Sequence, residues 1–265
     1  MDDLFEVNRE RWNGLVLAGV PFSRPNLDLD KESARAMVDE SGLLGDVRNS
    51  RVLLLGGAGG QQSAAFGLLG AQVTVYDLSD EMLAQDKVVS EHYGLSPELQ
   101  QGDMRDLSRF RNNDFDIVFQ PYSINFVPDV ATVFAEVSRV LKSGGLYYVQ
   151  WHNPFTQTMD ADNYDPDRGY ALNSIYVDGE IDAVAVYGNE NWSVENEDGS
   201  MAEIPGPREF RHTIRTFING LIANGFEILA FDEHRTNVED PEPGTWEHYV
   251  AVSPPYLSIW TRNRK

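Results

Sequence analysis

The feature that most constrains the fold of this chain is an apolar run that leads directly into a cluster of glycines. Residues 51–55 (RVLLL) are followed by GGAGG at 56–60 and then by a helical pattern. A short apolar run of this kind is typical of a parallel strand buried on both faces. Glycines let the backbone approach a ligand closely, and the next helix offers free N–H groups at its first turn. The stretch therefore predicts a ligand-binding strand–loop–helix unit, although a glycine-rich turn without a ligand has the same composition.

Strands and helices alternate along most of the chain after residue 50. The predicted strands are 51–55, 72–76, a short strand before Gly102, 115–120, 146–151, 226–231 and 256–261, and the predicted helices are 61–69, 80–90, 129–141 and 209–224. This alternation predicts an α/β fold with a mostly parallel sheet covered by helices on both faces. The terminal helix–strand–loop–strand order predicts an antiparallel last strand. Two more helices, 6–17 and 31–44, are predicted before the first strand, separated by Pro21 and Pro25.

A long segment interrupts this rhythm after the fifth strand. Residues 153–207 contain twelve acidic residues and a single basic one, Arg168, together with six aromatic residues: Phe155, Tyr164, Tyr170, Tyr176, Tyr187 and Trp192. Long connections of this kind are often functional, so the segment is predicted to be a lid over the active site. The alternative is a surface excursion that packs on its own aromatic residues. The chain is thus divided into an N-terminal helical cap (1–50), a core (51–152 and 208–265) and an inserted lid (153–207).

The composition limits the partners of this protein. Its 265 residues include 42 acidic and 21 basic ones, which gives a formal net charge of −21. Such a surface repels phosphate backbones and anionic lipids, so neither nucleic acid nor a membrane is expected as a partner. The charge fits solubility, including in a salty cytoplasm, and attraction of a cationic substrate is the alternative. The chain has no cysteine and no visible signal peptide, which favours a cytoplasmic location. A monomer or a homodimer is expected, and nothing in the sequence separates the two.

An acidic residue closes the second predicted strand. Asp77 lies 21 residues after Gly56. In Rossmann-type sites an acid at this place accepts hydrogen bonds from ribose hydroxyls. A helix cap near Ser79 is the alternative role for Asp77. Together, the glycine loop and the acid indicate a cofactor that contains adenosine, and they do not separate a nicotinamide cofactor from S-adenosylmethionine.

Residues farther along the chain distinguish between these two cofactors and favour S-adenosylmethionine. Gly102, Asp103 and Met104 follow the third strand, where a carboxylate can meet an adenine amino group. A pyrophosphate-binding dehydrogenase would place a third glycine two residues beyond Gly60. Gln62 stands there instead, and no second catalytic domain follows.

The order of the motifs resembles the class I S-adenosylmethionine-dependent methyltransferases, and in particular their type 11/25 small-molecule branch. The resemblance covers about residues 50–265 and is carried by VLLLGGAGGQQS, VTVYDLS, GDM, FDIVFQPYSINFVPD, VLKSGGLYYVQWHNP and RHTIRTFINGLIANGFEILAFDEH. It implies a Rossmann-like seven-stranded mixed sheet and methyl transfer to an oxygen, nitrogen or carbon of a small molecule, with S-adenosylhomocysteine as a product. A nicotinamide-dependent oxidoreductase and a non-catalytic S-adenosylmethionine-binding module are the alternatives.

The resemblance also implies a set of cofactor-binding residues. The glycine-loop residues Gly56, Gly57, Ala58 and Gly60 should face the methionine part of the cofactor. Asp77, with Leu78 beside it, should hold the ribose. Asp103 and Met104 should flank the adenine, Gln120 and Tyr122 should line the methionine side, and Trp12 should close over the cofactor. The sequence departs from the family at Leu54, where an acid is frequent, and at Ala58, which replaces the middle glycine.

Two histidines are candidates for a general base. His152 follows the fifth strand directly, at the edge of the sheet where such sites lie, and its ordinary pKa suits proton removal. His212 is the second candidate, and the family also tends to place a histidine there. The alternative roles are bonding of loop backbone for His152 and capping or packing for His212. His234 and His248 are predicted to be solvated, and no metal site is expected because no spacing resembles one.

Overall fold

The computed structural model describes residues 3–57, 59–159, 164–172, 174–182, 184, 191–195 and 200–265. The strands are β1 Arg51–Leu55, β2 Gln72–Asp77, β3 Glu98–Gln101, β4 Phe115–Gln120, β5 Leu141–His152, β6 Gly179–Glu180, β7 Asn191–Glu195, β8 Met201–Pro205, β9 Phe210–Arg211, β10 Phe226–Glu233 and β11 Tyr256–Asn263. The α-helices are α1 Asp3–Leu17, α2 Lys31–Val38, α3 Gln62–Leu68, α4 Asp80–Tyr93, α5 Val130–Val140, α6 Ile214–Ala223 and α7 Trp246–Val252. Short 3₁₀ helices cover Pro21–Ser23 and Ser123–Phe126.

Seven strands form the main sheet in the order β10-β11-β5-β4-β1-β2-β3. The pairs from β3 to β5 are parallel, and β11 lies antiparallel between β5 and β10. The predicted Rossmann-like mixed sheet, with its antiparallel last strand, is therefore confirmed. Because β1 lies between β4 and β2, the chain reverses direction across the sheet beside β1, and open α/β sheets bind ligands at such a point.

The apolar side chains of β1 divide between two cores. Leu53 and Leu55 face a core that α5 and α6 cover, whereas Val52 and Leu54 face a core that α2 and α3 cover. On the first face the ring of Trp151 stacks on that of Phe217 at 3.9 Å. Alternate residues of a strand point to opposite faces, so an apolar strand such as β1 requires helices on both sides of the sheet.

Polar side chains set the starts of two helices. The hydroxyl of Ser79 accepts a hydrogen bond from the backbone N–H of Met82 at the start of α4. Asp30 accepts one from the N–H of Ser33 at the start of α2. Each cap satisfies a donor that has no partner inside the helix.

The structure corrects three predicted boundaries. The helix predicted over 31–44 ends at Val38, and the Asp39 carboxylate then accepts the N–H of Leu44 to hold a turn. The helix predicted from residue 209 begins at Ile214, because Phe210–Arg211 pairs with Gly179–Glu180 as a strand. The fifth strand begins at residue 141 and not 146. In the first two cases a local turn or a distant partner overrides the apolar periodicity.

The described part of the insertion packs against the N-terminal helix. Strands β7 and β8 form an antiparallel hairpin, and Ile204 of β8 is buried with Leu15, Ala18 and Val20. The guanidinium group of Arg11 lies 4.0 Å from the centre of the Trp192 ring and donates to the Pro205 carbonyl at 2.7 Å. The hairpin and α1 therefore form one packed layer, and the division of the chain into cap, core and lid stays a prediction. No described helix is long and apolar enough to cross a bilayer.

Candidate cofactor and acceptor site

A cavity of about 850 Å³ opens at the carboxyl edge of the sheet. The ends of β2 and β5, the turn that follows β4, α1, the β7–β8 hairpin and α7 all contribute to its lining. Its lining includes Trp12, Gly56, Asp77, Leu78, Asp103, Met104, Tyr122, His152, Trp192, Trp246 and Tyr256. Cavities for small ligands measure about 300–1,000 Å³, so this one is large for a single ligand.

The glycine loop turns sharply at the end of β1. Gly56 has a φ of +68°, and a Cβ atom there would lie 2.6 Å from Cβ of Ser123, whose hydroxyl donates to the Leu55 carbonyl. Only glycine fits this position, and Gly56 lines the cavity.

The other predicted glycine-loop residues are placed differently. A Cβ at Gly60 would meet Val89 of α4, and one at Gly57 would meet Val75 and Leu54. Gly57 and Gly60 therefore pack against the protein and are not part of the cavity lining. The remaining predicted loop residue, Ala58, lies outside the described residues.

Asp77 is a buried carboxylate on the cavity wall. Only 7% of the residue is exposed, and its Oδ1 accepts the N–H of Ser79 at 2.8 Å. Burial raises the pKa of Asp77 to about 6, and the backbone N–H groups of Ser79, Gly57 and Leu78 partly oppose this rise. A carboxylate held by backbone groups still has lone pairs that can accept hydroxyl donors. Its neighbour Leu78 also lines the cavity.

Asp103 and Met104 line the cavity beside Asp77. Arg105 holds the Asp103 carboxylate through its Nε at 2.8 Å. Gln120 was predicted to line the methionine side, but it is fully buried beneath Met104 and does not contribute to the cavity lining. Its Nε2 lies 3.0 Å from Met104 Sδ, and its Oε1 accepts the Tyr147 hydroxyl at 2.5 Å. These two bonds hold the Gln120 amide in the core, away from the ligand space.

Tyr122 and His152 form a hydrogen-bonded pair that also lines the cavity. Tyr122 Oη lies 3.2 Å from His152 Nδ1. Tyr122 has a φ of +58°, which is rare for a bulky side chain, and this strained conformation must be stabilised by surrounding interactions. Asn125 provides such interactions, because its Nδ2 donates to the Tyr122 carbonyl at 2.8 Å and its Oδ1 accepts the His152 N–H at 3.1 Å.

Burial keeps the His152 ring neutral. Removal from water lowers the pKa of His152 to about 3, and the positive charge of Arg211 acts in the same direction. The remaining ring nitrogen, Nε2, is buried and has no hydrogen-bond partner among the described residues. His152 lines the cavity as predicted, but neither of its nitrogens is presented to a ligand as an open base.

His212 is a correction to the predicted pair of bases. It is 3% exposed and lies outside the cavity lining, behind the turn Ser123–Phe126. Burial lowers the pKa of His212, while the charge of Asp178 and the carbonyls of Val127 and Ile124 act against this. The structure therefore assigns His212 the packing role that was the alternative.

The prediction for the other two histidines holds for only one of them. His248, on α7, was predicted to be solvated, but its Nδ1 lies 3.1 Å from the Tyr170 hydroxyl. His234 is exposed, as predicted.

Several cavity residues were not predicted from the sequence. Trp192, Trp246 and Tyr256 come from the insertion, from α7 and from the start of β11. Only the aromatic content of residues 153–207 carried a signal, and it pointed to that segment without selecting a residue. Within the described residues, no group of three or more histidine, aspartate or glutamate side chains could hold a metal ion.

A mostly parallel sheet with antiparallel β11, and a buried acid beside a glycine turn at its carboxyl edge, define a Rossmann-like enzyme of the methyltransferase type. Residues 53–149 match the family model of a methyltransferase domain, type 11. An uncharacterized methyltransferase of Bacillus subtilis, YbaJ, is 30% identical over 189 residues, which span 71% of this chain and 70% of the relative. The chain belongs to the class I S-adenosylmethionine-dependent methyltransferases, and S-adenosylmethionine is its cofactor.

Two further similarities agree with this placement, the second of them in fold alone. A ubiquinone biosynthesis O-methyltransferase of Xanthomonas oryzae is 29% identical over 108 residues, which cover 41% of this chain and 45% of the relative. The crystal structure of an S-adenosylmethionine-dependent methyltransferase from Mesorhizobium loti matches with a TM-score of 0.62 at 21% identity, over 90% of this chain and 100% of that chain. The nicotinamide-dependent and non-catalytic alternatives are therefore set aside.

The residues on the cavity wall fit this cofactor chemically. A ribose needs hydrogen-bond acceptors for its hydroxyls, and the oxygens of the buried Asp77 carboxylate are acceptors of this kind. An adenine ring needs apolar contacts beside a carboxylate, and Leu78, Met104 and Asp103 all line the cavity.

Proposed function

We propose that this enzyme methylates a small-molecule acceptor at an oxygen, nitrogen or acidic carbon, inside the cavity described above. The observation that carries the proposal is the continuity of that cavity. The same space reaches from Asp77 and Asp103 to the Tyr122–His152 pair and the aromatic wall of Trp192 and Trp246. Its volume of about 850 Å³ can hold a cofactor and an acceptor together.

The cofactor end of the cavity uses the residues nearest to β1 and β2. Asp77 and Leu78 would hold the ribose, Asp103 and Met104 would flank the adenine, and Gly56 and Trp12 would contact the rest of the molecule. Bound S-adenosylmethionine supplies an activated methyl group. The protein's own contribution is to hold both reactants in line and to exclude water.

The acceptor end has an apolar and aromatic wall. Trp192 comes from the hairpin, which α1 holds in place through Arg11 and the buried Ile204. We infer that residues 153–207 serve as a lid, because their described hairpin covers the cavity and carries one of its walls. Aromatic side chains bind flat, apolar acceptors well and exclude water from the reacting atoms.

The nature of the acceptor follows from charge and from a relative. A formal net charge of −21 disfavours nucleic acid as a substrate. The Xanthomonas relative is named as an O-methyltransferase of ubiquinone biosynthesis, which supports a small acceptor with an oxygen nucleophile. A cytoplasmic monomer or homodimer remains our expectation from the sequence.

The experiment that tests this function has two parts. Isothermal titration calorimetry with S-adenosylhomocysteine should give saturable binding to the purified chain. Incubation with S-adenosylmethionine and a panel of phenols, amines and acidic carbon compounds such as 1,3-diketones should give S-adenosylhomocysteine and a methylated product by mass spectrometry. Binding without product across the panel would contradict the proposed acceptor class, and absence of binding would contradict the assigned site.

A further inference from the structure

A second buried carboxylate lines the cavity, far along the chain from the cofactor residues. Glu209 lies immediately before β9, is 6% exposed and contributes to the cavity lining. The cofactor end does not need it, because Asp77 and Asp103 already supply carboxylates there. Burying a charge costs free energy, and a carboxylate on a cavity wall offsets this cost when a ligand brings donors or a positive charge.

A buried amide lies beside the peptide that follows Glu209. Gln157 lines the cavity, is 2% exposed, and its Nε2 donates to the carbonyl of Phe210 at 3.3 Å. This bond fixes the orientation of the amide, because only the NH2 group can donate to a carbonyl. The Oε1 atom of Gln157 is buried and has no hydrogen-bond partner among the described residues. Since buried polar atoms are normally hydrogen-bonded, Gln157 indicates that a ligand supplies the missing donor.

Aromatic rings of the cavity lining accompany both side chains. Tyr249 donates from its hydroxyl to the carbonyl of Thr156, the residue before Gln157, at 3.3 Å. Tyr256 lies close enough to Glu209 to sense its charge: burial raises the pKa of this tyrosine, and the carboxylate adds to the rise. The faces of aromatic rings attract cations as well as flat apolar groups.

The basic side chains of the lining have other contacts. Arg105 holds the Asp103 carboxylate through its Nε at 2.8 Å. Arg11 is directed at the hairpin, where it lies over Trp192 and donates to a backbone carbonyl. His152 is neutral, because burial lowers its pKa to about 3. The charge that accompanies Gln157 and the two tyrosines is therefore negative, which favours a cationic acceptor over an anionic one.

We propose that Glu209 and Gln157 bind a protonated amino group of the methyl acceptor, and that this group is separate from the atom that is methylated. An ammonium group has three N–H donors and no acceptor, which matches a carboxylate, an amide oxygen and aromatic faces. It has no lone pair, so it orients the acceptor while another atom attacks the methyl group. The formal net charge of −21 also attracts cations to the protein. The inference rests on the proposed methyltransferase function and narrows its acceptor class.

The test uses three phenols of similar shape that differ in the charge of the side chain. Tyramine is cationic, 4-propylphenol is neutral and 3-(4-hydroxyphenyl)propionate is anionic. Calorimetry at pH 7 measures their binding to the complex of the wild-type chain with S-adenosylhomocysteine. We expect tyramine to bind at least about tenfold more tightly than 4-propylphenol, as hydrogen bonds to a charged group allow, and the anion to bind least.

Two variants assign this preference to the proposed side chains. Glu209→Gln keeps the shape and removes the charge, so the preference for tyramine over 4-propylphenol should fall below about threefold. Gln157→Leu removes one acceptor and should weaken tyramine binding by about three- to tenfold. The control is Glu203→Gln, which removes an exposed acid from β8 and should leave the preference intact. Circular dichroism checks that each variant is folded, and the comparison of probes on the wild type needs no variant.

High salt separates the buried carboxylate from the acidic surface. Attraction by exposed charges is screened at about 1 M salt, whereas a buried pair is screened much less. The preference for tyramine should therefore persist at this salt concentration.

The contrary results are distinct from one another. Equal binding of tyramine and 4-propylphenol, a preference that high salt abolishes, or a preference that survives in Glu209→Gln would overturn the inference and leave methyl transfer standing. Tyramine that does not bind to a chain already loaded with S-adenosylhomocysteine would overturn it as well. A wild-type chain that does not bind S-adenosylhomocysteine would overturn the proposed function itself.

Discussion

The hydroxyl of Ser63 donates a hydrogen bond to the carboxyl of Asp86, and both side chains are buried between α3 and α4 behind the glycine loop. The other oxygen of Asp86 has no hydrogen-bond partner among the described residues. Burial raises the pKa of Asp86 to about 8, and the nearby charge of Asp77 acts in the same direction. The folded protein therefore holds a neutral acid here at neutral pH.

This neutral acid predicts how stability depends on pH. The pKa of Asp86 in the folded protein lies above its unfolded value of about 3.9. The neutral acid therefore contributes its full share to the free energy of unfolding below about pH 3.9, and this share is lost as the pH rises through about 8. The free energy of unfolding should fall by up to about 1.4 kcal/mol per pH unit in this window from this group. In Asp86→Asn that part of the slope disappears, so the variant should gain stability relative to wild type between pH 5 and pH 8. Urea unfolding at both pH values measures this.

The matched control for Asp86 removes an exposed acid from the same helix. Glu91 of α4 is exposed, and Glu91→Gln should keep the wild-type pH slope. A wild-type slope in Asp86→Asn as well would show that Asp86 is ionised at neutral pH.

Cofactor affinity should depend on the ionisation of Asp77. Ribose hydroxyls donate to the charged form, so binding favours the carboxylate over the acid. Since burial raises the pKa of free Asp77 to about 6, affinity for S-adenosylhomocysteine should rise with pH through about 6 and level off above it. Asp77→Asn should weaken binding by about 10–100-fold at pH 8, as expected for loss of charged hydrogen bonds, and should flatten the pH dependence. Calorimetry from pH 5 to pH 8 tests both effects.

A second charge-neutralising variant controls for the general loss of negative charge. Asp114 lies at the amino edge of the sheet, next to the start of β4, and pairs with Arg51. Asp114→Asn should leave affinity for S-adenosylhomocysteine within about twofold, because surface charges contribute little. Equal losses in the two variants would contradict a direct contact at Asp77.

Gly56→Ala should disrupt the cofactor turn. The added Cβ would lie 2.6 Å from Ser123 Cβ, so the turn must shift in addition to bearing the positive φ. Gly94 is a control for the positive φ alone, because its φ is +66° and a Cβ there meets nothing within 4 Å. Gly94→Ala should cost about 1–2 kcal/mol of stability, the ordinary cost of a left-handed residue. Gly56→Ala should cost more stability than Gly94→Ala and should weaken S-adenosylhomocysteine binding by at least about tenfold. Similar effects from both variants would show that the contact with Ser123 is not important.

The hairpin should open when its anchor on α1 is shortened. Ile204 is 2% exposed and packs on Leu15, whereas Met201 of the same strand is 60% exposed. Ile204→Ala removes about 2–5 kcal/mol of packing, enough to raise amide hydrogen exchange across β7 and β8 while β1 and β4 keep their protection. Met201→Ala should leave exchange unchanged. Uniform acceleration over the whole sheet in Ile204→Ala would show that the hairpin is no separate unit.

The sequence alone determined the architecture of the sheet. The apolar run at β1, its glycines and Asp77 follow one another locally, and strands with continuous apolar runs must be covered on both faces. Because those patterns involve neighbouring residues, the chain itself predicts the sheet and points to Asp77 and Asp103, which line the cavity.

Tertiary structure decided which side chains share the cavity. Trp12, Trp192 and Trp246 meet there from three distant segments, and no local pattern encodes that meeting. Gln120 and His212 are polar residues of the kind found in binding sites, but neither lines the cavity. A hydrogen bond from Tyr147 holds Gln120 in the core, and His212 is buried behind the turn Ser123–Phe126. The Tyr122–His152 pair likewise depends on β4 and β5 ending side by side. Periodicity reports which face of an element is buried, whereas a site depends on distances between elements, and packing of the whole chain sets those distances.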